Sequence, residues 1–241
     1  MSRFYLGILS LWFASILHAQ WRCTFTHYSS EDGLSQNSVM NILEDKNGFM
    51  WFATWDGINK FDGYTFRTYK VADIASGLVN NRVDFMAEDA YGYIWIQTYD
   101  NRIYRFNPAT EIFQQVPATG KESALPVTTV RILDNNQIWL ITENDGAIRV
   151  STDPQTHELT TTLYSLQSAL FPSMILHDIC VDKTGNEWLL SDNGIGLIAS
   201  DSVEPILYFT DTQSSKNRQR QTFYCMSEGN NELYFGTKKG R

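Results

Sequence analysis

Five segments of the chain repeat one pattern, centred on Trp51, Trp95, Trp139, Trp188 and Tyr234 at spacings of 44, 44, 49 and 46 residues. A period in that range, carried by alternating apolar and polar positions, marks a radial array of small antiparallel sheets. Each unit presents an apolar face that only its neighbour can cover, so the repeat constrains the architecture more tightly than any single motif.

Within the first copy, Val39, Ile42 and Leu43 mark a first strand, Asp45-Lys46-Asn47-Gly48 a turn, and Phe49 to Thr54 a second strand. Asp56-Gly57 then reads as a two-residue type I′ hairpin with positive φ at both central positions. The same marks return as Asp89-Ala90-Tyr91-Gly92 with Asp100-Asn101, as Asp134-Asn135-Asn136-Gln137 with Asp145-Gly146, and as Asp182-Lys183-Thr184-Gly185 with Asn193-Gly194. On this alignment Asn101 replaces a hairpin glycine, Gln137 a turn glycine and Tyr234 the tryptophan. Ile58 to Phe61 and Tyr64 to Tyr69 supply the third and fourth strands of the first unit; Arg102 to Phe106 and Ile112 to Val116 supply those of the second. Beyond the leader, no segment keeps an apolar i, i+3, i+4, i+7 spacing for three turns free of Gly, Asn or Asp, which excludes helices.

The fold class that follows is all-β, a β-propeller of four-stranded antiparallel blades that is incomplete. At about 45 residues per blade a seven-bladed ring needs roughly 315 residues, so about four and a half blades are expected here. The fifth copy reaches Lys238-Lys239-Gly240-Arg241 where its third strand is due, and an open ring with exposed edges is the expectation. Arg22 to Tyr28 reads as a further strand without a blade of its own, of the kind that completes a last blade.

Residues 1–19 carry Arg3, an uncharged apolar stretch and Ala19, the pattern of a secretory signal peptide, which leaves 20–241 as a partial propeller domain. An exported, periplasmic chain is expected. The formal net charge is -8, and without Arg3 the remainder is one unit more negative. Lys216-Asn217-Arg218-Gln219-Arg220 reads as a solvated loop between repeats, so no basic stripe that would bind nucleic acid is expected. Cys23, Cys180 and Cys225 form no disulfide framework. Cys180 and Cys225 stand eight and nine residues before their aromatic, which predicts opposite faces and buried free thiols.

The repeated tryptophans could form a sugar-stacking ladder, but one equivalent position in a period-2 strand reads as blade-to-blade core. The Asp-x-x-Gly turns lack the run of oxygen ligands that calcium requires, so no metal is expected. His27, His157, His177 and Glu143 show no spacing that unites a nucleophile, a base and an orienting group, so no catalytic residue is assigned and no cofactor is implied. A sialidase-type repeat needs two residues from Asp to Gly where Asp45 to Gly48 has three, and only Asp182 to Trp188 approaches a quinoprotein blade turn.

Asp32-Gly33-Leu34-Ser35-Gln36-Asn37-Ser38-Val39, with Glu44 to Tyr64, resembles the opening of the two-component-regulator propeller family. The resemblance implies the periplasmic sensor of a Bacteroidetes-type hybrid two-component system: two propellers, an immunoglobulin-like stalk, a membrane helix, a histidine kinase, a receiver and a DNA-binding module. Only the first part of such a sensor is represented in this chain. The expected ligand is an oligosaccharide, and the expected partners are the remaining blades, the kinase modules and a second copy of the chain. Loops on a rigid scaffold carry function, which nominates the hairpin end: Trp55, Asp56, Tyr99, Asp100, Asn101, Glu143, Asn144, Asp192 and Asn193, with Arg82 and His177 at inner-strand starts. The alternative is part of a carbohydrate-active propeller enzyme, a lyase or sialidase-like protein.

Overall fold

A computed structural model of the chain describes residues 24–70, 78–116, 126–164, 175–192, 194–200, 206–210, 222–230 and 232–237. The expected leader, Arg22, Cys23, Asn193, the Lys216–Arg220 cluster and the last four residues lie outside the described residues.

The first sheet contains β1 (Val39–Glu44), β2 (Met50–Thr54), β3 (Gly57–Phe61) and β4 (Phe66–Tyr69). The second contains β5 (Val83–Glu88), β6 (Ile94–Thr98), β7 (Ile103–Asn107) and β8 (Ile112–Val116). The third contains β9 (Val127–Ile132), β10 (Ile138–Thr142), β11 (Ala147–Thr152) and β12 (Leu159–Tyr164). The fourth contains β13 (Leu176–Val181), β14 (Glu187–Ser191), β15 (Gly194–Ile198) and β16 (Ile206–Thr210), and β17 (Phe223–Glu228) pairs with β18 (Leu233–Thr237) in the fifth. Each sheet is an antiparallel meander in sequence order, the form of a propeller blade, and the five do not close into a ring. The fourth strand of blade 1 begins at Phe66 rather than Tyr64, because Asp62 Oδ1 accepts the Tyr64 and Thr65 amides at 2.8 and 2.7 Å and holds those residues in a turn.

The core consists of four interfaces, each between consecutive blades and each built on one tryptophan. Trp51 lies against blade 2, its ring centre 5.5 Å from Phe106, and Trp188 lies 5.5 Å from Phe235 of blade 5. Tyr234 occupies the same register in blade 5 but is 57% exposed, since no described sheet follows it.

An aspartate six residues before the tryptophan fixes the intervening turn. Asp45 Oδ1 accepts the Asn47 and Phe49 amides at 2.9 and 3.0 Å, and Asp45 Oδ2 accepts Trp51 Nε1 at 2.8 Å. Asp89 holds Tyr91, Tyr93 and Trp95 in the same way, and Asp182 holds Thr184, Asn186 and Trp188. Both carboxylate oxygens are thereby used within the turn. Among the described residues, no group of three or more His, Cys, Asp or Glu side chains is arranged to hold a metal ion.

The third blade departs from the expected alignment. Its Asp134 is five residues from Trp139, so Leu133 takes the aspartate's place and Asn136, at φ 60°, takes the role of Gly48 that the sequence assigned to Gln137. Trp139 Nε1 is buried without a partner, and the same interface holds an ion pair at 3.2 Å between half-buried Arg149 and buried Glu187.

Burial alone would raise the Asp182 carboxyl, but the bonds from Thr184, Trp188 and Asn186 outweigh it and hold its pKa at about 2. A carboxyl lowered on folding contributes stability that is complete above its unfolded pKa of about 4 and is lost as pH falls through 2. Acid titration of unfolding free energy should show a loss of about 1 kcal/mol from this group between about pH 4 and 2, since solvent screening at this largely accessible turn reduces what the full shift would contribute. The Asp182→Asn variant should lack that part of the slope, and an identical slope in both proteins would refute the assignment.

Three further expectations are corrected. Trp55 and Asp56, not Asp56 and Gly57, are the central residues of the first hairpin. Neither has positive φ, and Gly57 follows at φ 109° paired with Thr54, so the loop is not a type I′ turn and the positive φ falls on the first residue of β3. In blade 2 the positive φ falls within the loop, on Asn101 at 61°, whose amide donates to Thr98 O at 2.9 Å. The cysteines do not face opposite ways: Cys180 pairs with Trp188, and Cys225 stands two residues from Ser227, which pairs with Tyr234. The fifth repeat is one residue shorter across its turn, which misleads a count from the aromatic. Both thiols are free; Cys225 is exposed, and burial pushes Cys180 up to about 11.

Thr24 to Tyr28 forms no strand; Tyr28 instead packs on Phe61 and Phe66 of blade 1, with ring centres 4.9 and 5.8 Å away. The following segment is pinned to the same face. Leu34 is buried, the Ser35 amide donates to Asn59 Oδ1 at 2.9 Å, and Asn59 Nδ2 returns a bond to Ser35 Oγ at 2.8 Å.

Candidate functional site

The two ends of the blades differ in how they are finished. At the Asp-turn end, consecutive blades are tied by backbone amides: Lys46 donates to Glu88 Oε2 at 2.9 Å, Ala90 to Asn136 Oδ1 at 2.8 Å and Lys183 to Glu228 Oε2 at 2.8 Å. At the hairpin end many fastenings lie within a blade, although Gly57 N donates to Asn81 O at 2.8 Å and Gln97 Nε2 to Val127 O at 2.7 Å across blade boundaries. A buried hydroxyl three residues after each tryptophan braces the loop: Thr54 Oγ1 donates to Gly57 O at 2.9 Å, Thr142 Oγ1 to Gly146 O at 2.8 Å and Ser191 Oγ to Gly194 O at 2.7 Å. Thr98 Oγ1 lies 3.2 Å from the equivalent carbonyl, Arg102 O, and 2.6 Å from Asp100 Oδ1. Hairpin amides then hold the inner-strand entry, with Tyr99 N on Arg82 O, Glu143 N on Pro126 O and Asp192 N on Ile175 O at 3.0, 3.1 and 3.2 Å.

Every inner strand carries a β-bulge just past its first residue. The register shifts fall between Val39 and Asn41, Val83 and Phe85, Leu176 and Asp178, and Phe223 and Cys225, and opposite Ile141 and Thr142 in blade 3. The extra residues are Met40, Asp84, Thr128, His177 and Tyr224. A bulge turns its extra side chain out of the strand's alternation. All five are half-buried or exposed, while Val83, Val127, Leu176 and Phe223 beside four of them are buried. The position has constant geometry and variable chemistry, as a set of ligand-contacting residues requires.

Around these bulges the nominated residues fall into two groups. In the first, Arg82 extends between the hairpins of blades 1 and 2, its guanidinium carbon 4.0 Å from the Tyr99 ring centre and 5.0 Å from that of Trp55. Its Nε donates to Asp84 Oδ1 at 3.1 Å, and Trp55 Nε1 rests on Met40 Sδ at 3.1 Å. Asp56 beside them is paired with Lys70 and accepts Asn81 Nδ2 at 3.0 Å. Asp100 lies 3.3 Å from Arg102 Nε, and Asn101 serves the turn through its backbone. Trp55 and Tyr99 are 49% and 60% exposed, so each ring keeps open surface for a ligand although Arg82 occupies one side.

In the second group, His177 Nε2 is 2.5 Å from Asp192 Oδ1, and the imidazole lies 4.6 Å from the Tyr224 ring of the next blade. Glu143 and Asn144 are exposed in blade 3 and join neither group. Met40, Lys70, Asn81, Asp84 and Tyr224 were not nominated from the sequence. A polar or bulky residue ten or eleven positions before each aromatic marks the bulge, and that interval was the available signal.

Residues 33–56 and 77–100 match the family model described as two component regulator propeller. The two windows cover the first two strands of blades 1 and 2 with the residues that lead into them. Histidine kinase P4 of Formosa agariphila is 52% identical over 46 residues, which are 19% of this chain and 3% of that protein. Among solved structures, the extracellular domain named for a hybrid two component system of B. thetaiotaomicron superposes with a TM-score of 0.50 at 22% identity, over 88% of this chain and 34% of that one. An inactive variant of virginiamycin B lyase from Staphylococcus aureus superposes with a TM-score of 0.52 at 16% identity, over 83% and 63%. The structural likenesses establish the propeller fold. The chain spans about a third of the length of the extracellular domain and a small fraction of the kinase.

Proposed function

We propose that residues 20–241, exported by the leader 1–19, belong to the periplasmic ligand-sensing propeller of a hybrid two-component regulator, and that the hairpin end recognises an oligosaccharide. The observation that carries this reading is the meeting of Trp55, Arg82 and Tyr99 from two blades at one rim, with Met40 and Asp84 on adjacent bulges. Exposed aromatic surface stacks on sugar rings, and a few convergent polar groups bond hydroxyls. The match of the first two repeats to the regulator propeller supports the signalling role. Ligand binding would bias a histidine kinase elsewhere in the protein only through unequal affinity for two arrangements of the sensor.

Calorimetric titration of the purified protein against a glycan panel tests this. Replacing Trp55 and Tyr99 together with Ala should weaken binding of the recognised sugar by at least tenfold while shifting the unfolding free energy by about 1 kcal/mol or less, as befits half-exposed side chains. Unchanged affinity in the double variant would refute the site.

The enzymatic alternative has one observation in its favour, the imidazole of His177 held by Asp192 as a general base is held. Chromatography of the same glycans after incubation would reveal cleavage. Products that disappear in His177→Gln would favour it over the sensor reading.

A further inference from the structure

Arg82 is the group around which the first cluster is organised, and its own bonding is incomplete. Asp84 Oδ1 takes Nε, the inner edge of the guanidinium, while Trp55 and Tyr99 lie against its surface. Among the described residues, neither terminal nitrogen of Arg82 has an acceptor within hydrogen-bonding distance. The other cations at this rim are committed differently: Lys70 is paired with Asp56, and Arg102 lies beside Asp100. Arg82 therefore holds a fixed fork of donors with its position set by three side chains and its terminal edge left for something else.

An arginine stacked on aromatic rings loses little further entropy when it binds, and its planar fork matches the two oxygens of an oxyanion. A neutral sugar would meet those donors only with uncharged hydroxyl oxygens, whereas an oxyanion meets them with shorter, charge-assisted bonds. We propose that the ligand is an acidic oligosaccharide whose carboxylate or sulfate ester seats on the terminal nitrogens of Arg82, with sugar rings against the open surfaces of Trp55 and Tyr99. This rests on the oligosaccharide reading above and narrows it to one chemical class. The overall negative charge of the chain makes Arg82 selective: an anion is repelled from most of the surface and is stabilised where the fork is preorganised.

Calorimetric titration of the purified protein with matched pairs tests the inference. One arm sets oligogalacturonate against the neutral galacto-oligosaccharide of equal length; a second sets a sulfated galactan oligosaccharide against its desulfated form. Binding of an acidic member at least tenfold tighter than its neutral counterpart is expected, weakening as salt is raised from 50 to 500 mM. Arg82→Gln should abolish that preference, and Arg82→Lys should restore only part of it, because lysine keeps the charge without the fork. The arm that responds tells carboxylate from sulfate. Neutral members that bind as tightly as acidic ones, with affinity unchanged in Arg82→Gln but lost in the Trp55 and Tyr99 double variant, would overturn the acidic class and leave the oligosaccharide reading standing. Absence of binding by every sugar in both arms, with the protein folded by circular dichroism, would overturn both.

Discussion

Trp95→Ala is expected to lower the unfolding free energy by about 3–5 kcal/mol, the cost of truncating a fully buried aromatic in a packed interface. Trp95 is buried with Ile103 and Val116 of its own blade and with Val127, Val130, Ile138 and Leu140 of the next, so the cavity would open between two sheets. Its loss also removes the donor to Asp89 Oδ2, leaving a buried carboxylate oxygen unsatisfied at about 1–3 kcal/mol. Trp139→Ala supplies an internal control, because that indole is equally buried but donates to nothing. It should cost less than Trp95→Ala by about 1–3 kcal/mol, the penalty of leaving that carboxylate oxygen unsatisfied. Denaturant unfolding monitored by circular dichroism measures both, with the folded baseline and slope checked because repeat arrays can lose cooperativity. Equal losses would show that the Asp89 bond adds nothing to the interface.

The second large effect belongs to the first hairpin. Gly57→Val is expected to destabilise by about 3 kcal/mol or more, whereas Gly48→Ala should cost about 1 kcal/mol. Both glycines have positive φ, 109° and 81°, so conformational strain is common to the two variants. They differ in surroundings. A Cβ at Gly57 would stand 2.5 Å from the carbonyl oxygen of Tyr69, which belongs to the next ladder of the same sheet, while a Cβ at Gly48 meets nothing within 4 Å. The carbonyl cannot withdraw without breaking strand pairing at Ile58 and Tyr69, and a β-branched side chain worsens both terms. Thermal midpoints of the two variants give the comparison. A Gly57→Val protein as stable as Gly48→Ala would mean that Gly57 is not held against the Tyr69 carbonyl.

Much of the fold was legible because its determinants are local and repeated. Alternation located the strands assigned in the first two blades within one or two residues, and the tryptophan register identified the interfaces, since a residue at a fixed place in a period-2 strand must face the same neighbour each time. Legibility failed where chain distance and spatial distance part company. Asp134 looked like the turn aspartate of blade 3, yet it is one residue too near Trp139; only the backbone shows Asn136 in the positive-φ place. The cysteine faces were misread for the same reason, a turn one residue shorter in the fifth repeat.

The candidate site was less legible than the fold. The sequence named Trp55, Arg82, Tyr99, His177 and Asp192 through their loop positions, and all five make contacts within one of two clusters. It gave no reason to separate those clusters or to leave Glu143 and Asn144 outside them. Nor did it point to Met40, Asp84 or Tyr224, because a bulge inserts a residue without any composition of its own.

The chain by itself therefore determined the period, the blade unit and the aromatic that joins each blade to the next, since all of these follow from hydrophobic alternation and turn chemistry within about 45 residues. Tertiary structure alone decided which polar side chains converge. Arg82 meets Trp55 across a blade boundary, and His177 meets Tyr224 across another. Such meetings depend on how sheets stack and where a ladder slips by one residue. A one-residue slip redirects a side chain from the core to the rim while leaving the pattern of the surrounding sequence unchanged.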